Sequence, residues 1–331
     1  MPSRQLGHSL SVSSIGIGCM GMSFAYGGQE EAASIATLHR ALDLGITFFD
    51  TAEIYGPFTN EELIGKAFKG MWDRVVIATK FGFKISDTGV GAERIVGLDS
   101  RPENVKKVAD ASLQRLNTDV IDLFYQHRVD PAVPIEDTVG AVADLSRAGK
   151  VRALGLSEAG AETIRRAHRV HPVAAVQSEY SLWTRDPEKA VLPLCKELGI
   201  GFVPYSPLGR GFLTGAIRDR AALGDNDYRL RTPRFQEGNL QTNLALVDTL
   251  LSIAKDKGVT AAQLALAWVL HQGEAVVPIP GVRTIHHLED NAAAANIALT
   301  AVELQTVEAA IRPGTVAGER YDERGLKMTN L

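Results

Sequence analysis

Four polar residues in this sequence have the types needed to polarise a carbonyl group and protonate its oxygen as a hydride reaches its carbon: Asp50, Tyr55, Lys80 and His127. Three of them close runs rich in β-branched and aromatic residues. Asp50 ends Thr47–Asp50, Lys80 follows Val75–Thr79, and His127 follows Ile121–Gln126, while Tyr55 lies in the loop after Asp50. A tyrosine, with an ordinary pKa of about 10, is a proton donor at neutral pH. An ammonium beside it stabilises the phenolate and lowers that pKa. A carboxylate keeps the ammonium charged and oriented, and a neutral imidazole donates a hydrogen bond that polarises the carbonyl oxygen. Each residue alone reads more simply as a capping, rim or core residue. Together, at successive strand ends, they read as one site.

Such convergence needs a scaffold that brings successive strand ends together. Eight runs have strand character: Ser14–Gly18, Thr47–Asp50, Val75–Thr79, Ile121–Gln126, Val151–Leu156, Ala174–Gln177, Gly201–Tyr205 and Ala275–Ile279. Amphipathic stretches separate them, including Glu30–Leu44, Pro102–Leu116, Ile135–Ala148, Ala161–Val170, Pro187–Leu198 and Ala261–His271. Asn60-Glu61-Glu62 marks a helix start, and Gly45, Gly149 and Gly199 mark helix ends. Regular alternation predicts parallel strands with helical crossovers, and eight units predict a closed (β/α)8 TIM barrel. Barrel sites lie at the C-terminal face, where the four residues above would meet. Arg4–Leu10 reads as an N-terminal β-hairpin plugging the barrel bottom. Residues 209–240 read as an extended functional loop on the C-terminal face, and the tail after Pro313 as a segment that folds over the site or moves. The expectation is one domain over residues 1–331.

The chain has 331 residues and a net charge of −4, a balance that argues against nucleic-acid and anionic-membrane partners. No apolar run has the length of a membrane span, and Met1–Leu10 lacks the apolar core of a leader. Cys19 and Cys195 are the two cysteines; they predict small buried hydrophobes in a reducing, cytoplasmic setting. His168 and His171 lack nearby carboxylates or thiols and predict a solvated helix face, with no metal.

Gly16-Ile17-Gly18-Cys19-Met20-Gly21 spells a dinucleotide-binding G-x-G-x-x-G. That motif requires a helix to start at its third glycine, yet Met22-Ser23-Phe24-Ala25-Tyr26-Gly27-Gly28 follows. Asp50 also lies 29 positions beyond Gly21, where about 20 are expected. The glycines read instead as sites of close backbone approach.

The chain resembles the aldo-keto reductases, and the matching pieces run almost end to end. They are Gly18-Cys19-Met20-Gly21, Asp50-Thr51-Ala52 with Tyr55-Gly56, Asn60-Glu61-Glu62-Leu63-Ile64-Gly65, Thr79-Lys80, Asp122-Leu123-Phe124-Tyr125-Gln126-His127 and Gly149-Lys150-Val151-Arg152. Gly155-Leu156-Ser157, Gln177-Ser178-Glu179-Tyr180, Tyr205-Ser206-Pro207-Leu208-Gly209, Pro278-Ile279-Pro280-Gly281 and Leu288-Glu289-Asp290-Asn291 continue the match. Gln126-His127-Arg128-Val129-Asp130-Pro131 is most like a branch acting on assorted aldehydes and ketones.

The resemblance implies reduction of an aldehyde or ketone by NADPH, with Asp50, Tyr55, Lys80 and His127 as the tetrad and Tyr55 as proton donor. It places Ser157 and Gln177 at the nicotinamide carboxamide, Tyr205 as the ring on which the nicotinamide stacks, and Met22 among the cofactor positions. Ser206, Leu208 and Arg210 fall in the stretch that would cover the pyrophosphate. Gly281, Arg283, His287, Asp290 and Asn291 match the grip on the adenosine end; Arg283 offers a fork suited to a 2′-phosphate and selects NADPH over NADH. Glu158 stands where the family often carries Asn after Ser157, so no role is carried over to it. The partner implied is a small-molecule carbonyl substrate; oligomeric state is not legible. Phe24, Tyr26, Trp72, Phe81 and Trp183 are candidate pocket aromatics, Phe81 and Trp183 foremost. Two other readings use the same chain: a lyase with Lys80 as Schiff-base nucleophile, and a nicotinamide-binding regulatory subunit.

Overall fold

A computed structural model describes residues 1–26, 29–225 and 227–330. The first strands are the antiparallel hairpin β1 (Ser3–Leu6) and β2 (Leu10–Ser13). The parallel strands that follow are β3 (Ile17–Gly18), β4 (Phe48–Asp50) and β5 (Val76–Phe81). A second hairpin, β6 (Phe83–Ile85) and β7 (Ile95–Leu98), precedes β8 (Ile121–Gln126), β9 (Val151–Ser157), β10 (Val173–Glu179) and β11 (Gly201–Tyr205). The parallel sheet runs in the order β3-β4-β5-β8-β9-β10-β11.

The eighth predicted strand, Ala275–Ile279, closes the barrel without forming a regular ladder. Pro278 and Pro280 have no N–H to donate, so pairing on one side uses only their carbonyls: Gly16 N–H donates to Pro278 O at 2.9 Å and Gly18 N–H to Pro280 O at 3.2 Å. On the other side Val277 N–H donates to Phe202 O at 2.8 Å and Ile279 N–H to Pro204 O at 3.0 Å. Gly16 and Gly18 serve this seam rather than a phosphate loop. A Cβ on Gly16 would sit 2.6 Å from the Phe48 ring, a distance that side chains cannot share.

The N-terminal hairpin plugs the barrel as its sequence predicts. Leu6, Leu10 and Val12 are buried among inward-facing Phe48, Leu123, Tyr125, Val203 and Val277. Burial of three such side chains stabilises the closed bottom by about 1.5–3 kcal/mol each. Gly201 makes room for them: a Cβ there would lie 2.4 Å from a Leu6 methyl.

The outer helices begin with α1 (Glu31–Asp43), α2 (Thr59–Ala67), α3 (Pro102–Leu116), α4 (Ile135–Arg147), α5 (Ala161–Val170) and α6 (Val191–Leu198). Gly45, Gly149 and Gly199 all end helices with φ between +67° and +78°, a region open to glycine. The long loop is shorter than predicted. It runs as separate 3₁₀ turns to Phe235, and then α7 (Glu237–Lys257) takes over. The buried stripe of α7 is Leu240, Asn243, Val247, Leu250 and Ala254, a helical spacing interrupted by a polar residue. Asn243 belongs there because its amide donates to Arg234 O at 3.3 Å and Ala317 O at 3.0 Å. α8 (Ala261–Leu270), α9 (Ile285–Ala293), α10 (Ala301–Ala310) and the short α11 (Glu323–Lys327) complete the chain. Thr260, Thr284 and Thr300 cap α8, α9 and α10 with their hydroxyls.

Two pocket candidates are corrected. Phe81 is fully buried and packs on Phe124 at 4.6 Å in the layer between sheet and helices. Trp183, 4% exposed, stacks on Phe212 at 4.3 Å with Phe235 on its edge. Phe81 is the last residue of β5 and Trp183 follows β10, yet both turn into the helical layer. Trp72 packs on the edge of the cluster formed by α1, α2 and β4; Phe24 stays near the site, 6.4 Å from the Tyr55 ring. Cys19 and Cys195 are buried, as predicted. His168 accepts the Val173 N–H on its Nδ1 at 3.2 Å, and no cluster of metal-ligating side chains occurs among the described residues. Within them no helix is long and apolar enough to cross a membrane.

Candidate active site

The strand ends bring the four predicted residues together. Asp50 is the last residue of β4, Lys80 the penultimate residue of β5, and His127 the first after β8. Register fixes their heights: Asp50 pairs with Ala78 and Lys80 with Tyr125. Tyr55 reaches the same point from the turn before α2. Lys80 Nζ donates to Asp50 Oδ1, to Thr51 O at 2.8 Å and to the Tyr55 hydroxyl at 3.4 Å. The His127 ring stands edge-on to Tyr55, with centroids 5.9 Å apart, and edge-on to Phe83 at 5.1 Å. The other Asp50 oxygen accepts from Gln177 Nε2 at 2.8 Å.

Burial sets the protonation states. Loss of water pushes the Tyr55 phenol well above its usual range, Asp50 pushes it further, and Arg128 opposes the shift. The phenol is therefore protonated at neutral pH and able to give that proton. The expected downward tuning by Lys80 is not the dominant influence, because Lys80 is itself held by Asp50. Burial opposes both charges of that pair, depressing the lysine and raising the aspartate, while their contact limits each shift. His127 is held well below its usual range by burial, Lys80 and Arg128. It is neutral, and its Nδ1 has no partner among the described residues. Lys80 is fully buried, with its Nζ held among three protein oxygens, which counts against its reaching a substrate carbonyl as the lyase reading requires.

Glu158 organises the neighbouring strand ends. It is fully buried, has φ +53°, and its carboxylate accepts four hydrogen bonds. The donors are Glu179 N–H at 2.9 Å, the Tyr205 hydroxyl at 2.8 Å, Arg320 Nη1 at 3.0 Å and Arg320 Nη2 at 2.6 Å. Although burial raises its pKa, Arg320 and Arg128 outweigh that and hold the carboxyl below its usual value. Tyr321 joins its hydroxyl to that of Tyr205 at 2.7 Å. The tail is held at a second point on the same residue, where Asn330 N–H donates to Glu158 O at 3.0 Å. The tail thus folds over the barrel mouth, one of the two alternatives the sequence leaves open. Between the anchors, a cavity of about 610 Å³ has Phe83, Ile95 and Leu98 of the second hairpin on one side and Arg324, Lys327 and Met328 of the tail on the other. Neither wall was legible as such. The hairpin lacks a clean alternation, and the tail after Pro313 is polar and glycine-containing, with no local sign of Arg320 as its anchor.

The remaining predicted residues fall into two groups. Ser157 ends β9, with its hydroxyl 3.3 Å from Arg128 Nη1, and lies beside Gln177 and Tyr205. Arg210 is drawn into the buried network: Nη2 donates to Glu179 at 2.9 Å, while Nη1 donates to Thr232 at 3.2 Å and Arg320 O at 2.8 Å. Both terminal nitrogens are thus occupied by protein, away from the exposed covering role predicted for them. Ser206 takes φ +49° in the same turn, and Leu208 packs against the helical core. At the opposite edge, Gly281 bridges Gly18 across the seam, and Met22 is buried with Val282 and Leu288. Arg283 Nη1 donates to Tyr26 O at 2.8 Å, and its carbonyl accepts from Gln29 Nε2 at 2.7 Å. The long loop reaches this edge, since Tyr228 N–H donates to Ala25 O at 3.2 Å and Arg229 lies over the Tyr26 ring. His287 is exposed on the first turn of α9, and Asn291 is buried on the same helix. Asp290 faces α8, where its carboxylate accepts from Thr260 and Gln263. A predicted adenine contact is here a tie between two helices.

The model of the Aldo/keto reductase family matches residues 14–312. The chain is also similar to solved structures. The glycerol dehydrogenase of Gluconobacter oxydans is 30% identical, with a TM-score of 0.85 over 93% of this chain and 94% of that one. An aldo-keto reductase of Bacillus halodurans, solved in its holo form, is 28% identical with a TM-score of 0.78, covering 98% and 99%. An aldo/keto reductase of Klebsiella pneumoniae, solved with NADP and acetate, is 27% identical with a TM-score of 0.75, covering 97% and 98%. The chain belongs to the aldo/keto reductase family and is an oxidoreductase of that family.

Proposed function

We propose that this aldo/keto reductase reduces a small aldehyde or ketone to the alcohol with NADPH, and that Tyr55 is the proton donor. The single observation that carries the reading is the buried cluster in which Lys80 Nζ joins Asp50 to the Tyr55 hydroxyl beside a neutral His127.

The donor set fits a nicotinamide. Gln177, with its Nε2 on Asp50, presents Oε1 as an acceptor for a carboxamide N–H. Ser157 supplies a hydroxyl, and Tyr205, tied through its own hydroxyl to Glu158, offers a fixed ring face. NADPH, when bound, supplies the hydride. A carbonyl oxygen between Tyr55 and His127 receives a hydrogen bond from the neutral imidazole, which stabilises charge as it develops on that oxygen. Tyr55 then donates its proton there, and the Lys80 ammonium, held by Asp50, stabilises the phenolate left behind. Arg283, with His287 and Asn291, is proposed to hold the 2′-phosphate end. Its planar fork would favour NADPH over NADH. The apolar faces of Phe83, Ile95, Leu98 and Met328 support an aromatic or aliphatic carbonyl as substrate.

Fluorescence titration with NADPH and NADH, followed by addition of 4-nitrobenzaldehyde, tests this reading. Selective NADPH binding followed by its oxidation is the expected result. Binding without oxidation of any aldehyde or ketone would move the weight to the regulatory reading, and absence of binding would overturn the cofactor assignment.

A further inference from the structure

Resting on the cofactor reading above, we infer that Arg128 is the hydrogen-bond donor to the nicotinamide carboxamide oxygen, and that it replaces the amide that this chain lacks at position 158. The argument is one of donor supply. A primary carboxamide offers two N–H donors and one oxygen that accepts. Gln177 Nε2 gives one N–H to Asp50, which sets the amide so that its Oε1 is offered to a carboxamide N–H. Glu158 is acceptor-only when ionised, and four protein donors already occupy its oxygens. An asparagine at that position would have brought an N–H; the glutamate cannot. Ser157 alone would then face the carboxamide oxygen.

Arg128 stands where the missing donor is needed. Its Nη1 donates to His127 O at 2.7 Å and reaches the Ser157 hydroxyl at 3.3 Å. Nε and Nη2 have no hydrogen-bond partner among the described residues. The nearby carboxylate, Glu158, is occupied by Arg320. The guanidinium is half-buried beside Ser157, with Tyr205 and Tyr55 close enough to act on its charge, so its unused N–H groups can be donated to a ligand that enters there. The same guanidinium is charged, so its bond to the carboxamide oxygen is of the stronger, charge-assisted kind. Glu158 and Arg128 have thereby divided one residue's duty: Glu158 holds the tail and the Tyr205 ring, and Arg128 orients the carboxamide.

The test replaces the accepting oxygen. Thionicotinamide adenine dinucleotide phosphate carries sulfur, a much weaker acceptor, at that atom alone. Dissociation constants for NADP+, the thio analogue and 2′,5′-ADP are measured by calorimetry on the full chain and on Arg128→Met and Arg128→Lys. The wild type is expected to bind NADP+ about tenfold or more tighter than the thio analogue, as a charged hydrogen bond requires. Arg128→Met should weaken NADP+ by about ten- to a hundredfold, to the level of the thio analogue. Its affinity for 2′,5′-ADP should be unchanged, which also reports that it folds. Arg128→Lys, with a shorter reach and a single donor point, should retain part of the discrimination. Equal binding of the oxygen and sulfur forms by the wild type, or full discrimination retained in Arg128→Met, would overturn the assignment. Failure of wild type to bind either NADP+ or 2′,5′-ADP would overturn the cofactor reading itself, a separate and recognisable result.

Discussion

Replacing Arg320 with methionine should release the C-terminal tail from the barrel mouth while leaving the barrel folded. Arg320 donates two hydrogen bonds to a carboxylate that is fully buried, and its own side chain is 5% exposed. Removing one partner of such a pair costs about 3–5 kcal/mol if the other charge stays buried. The tail has a cheaper alternative. It lifts away and lets water reach Glu158, at the expense of the Tyr321–Tyr205 and Asn330–Glu158 contacts. The observable is therefore local opening, which hydrogen exchange reads directly. Destabilising the docked state by about 3 kcal/mol corresponds to roughly a hundredfold faster exchange. Asn330 N–H, bonded to Glu158 O, is the most direct reporter. The double variant Glu158→Gln with Arg320→Met removes the orphaned charge, so it should recover much of the lost protection. The pH dependence has a fixed sign. The folded pKa of Glu158 is depressed, so its stabilisation is present above the ordinary carboxyl value and is lost as pH falls through the folded value. Unchanged tail exchange in Arg320→Met, or additive effects in the double variant, would refute the latch.

Tyr55→Phe should lower carbonyl reduction by about a hundredfold or more, the scale of a lost general acid. NADPH affinity should stay within a few-fold, and near-normal turnover would sink the proton-donor role. Glu53 is 4% exposed, its Oε1 has no partner among the described residues, and burial and Glu61 push its carboxyl up to about 8. Because that folded pKa lies above the ordinary 4.5, stability is full below pH 4.5 and declines as pH rises through 8. For a single proton the decline can be no steeper than about 1.4 kcal/mol per pH unit. Glu53→Gln should flatten this decline, and urea midpoints at pH 5 and pH 9 that fall in parallel for both proteins would exclude it. Trp183→Ala should destabilise the fold by about 3–5 kcal/mol as a core truncation; an altered substrate preference at unchanged stability would return Trp183 to the pocket.

What the sequence reveals and hides follows from which interactions are local. The barrel was legible because each β–α unit carries its own period and its own stop, as with Gly45, Gly149 and Gly199. The eighth strand was legible in apolarity although Pro278 and Pro280 prevent a regular ladder there. α7 was hidden because its buried stripe contains Asn243, whose partner Ala317 is far away in sequence. Asp50, Tyr55, Lys80 and His127 could be gathered from strand ends alone, since parallel register in a closed barrel brings successive ends to one face. The Glu158 network could not, because nothing local says that a glutamate after Ser157 is matched by an arginine at position 320. That pairing spans 162 positions, and its only local trace is that Glu158 cannot donate where an asparagine would.

Electrostatics makes that trace interpretable after the fact. An unpaired buried carboxylate would be too costly to keep, so a glutamate at a strand end inside the barrel mouth requires a cation brought from elsewhere. Arg320 meets that need, and the segment carrying it must then cross the mouth. The same pairing leaves Arg128 without a carboxylate of its own, close to Tyr55 and His127. There its charge opposes the upward shift of the phenol and favours the neutral imidazole. The residue that anchors the tail thus also determines which guanidinium is left to act on the ligands, and the chemistry of the mouth is coupled to the docking of the chain's last residues.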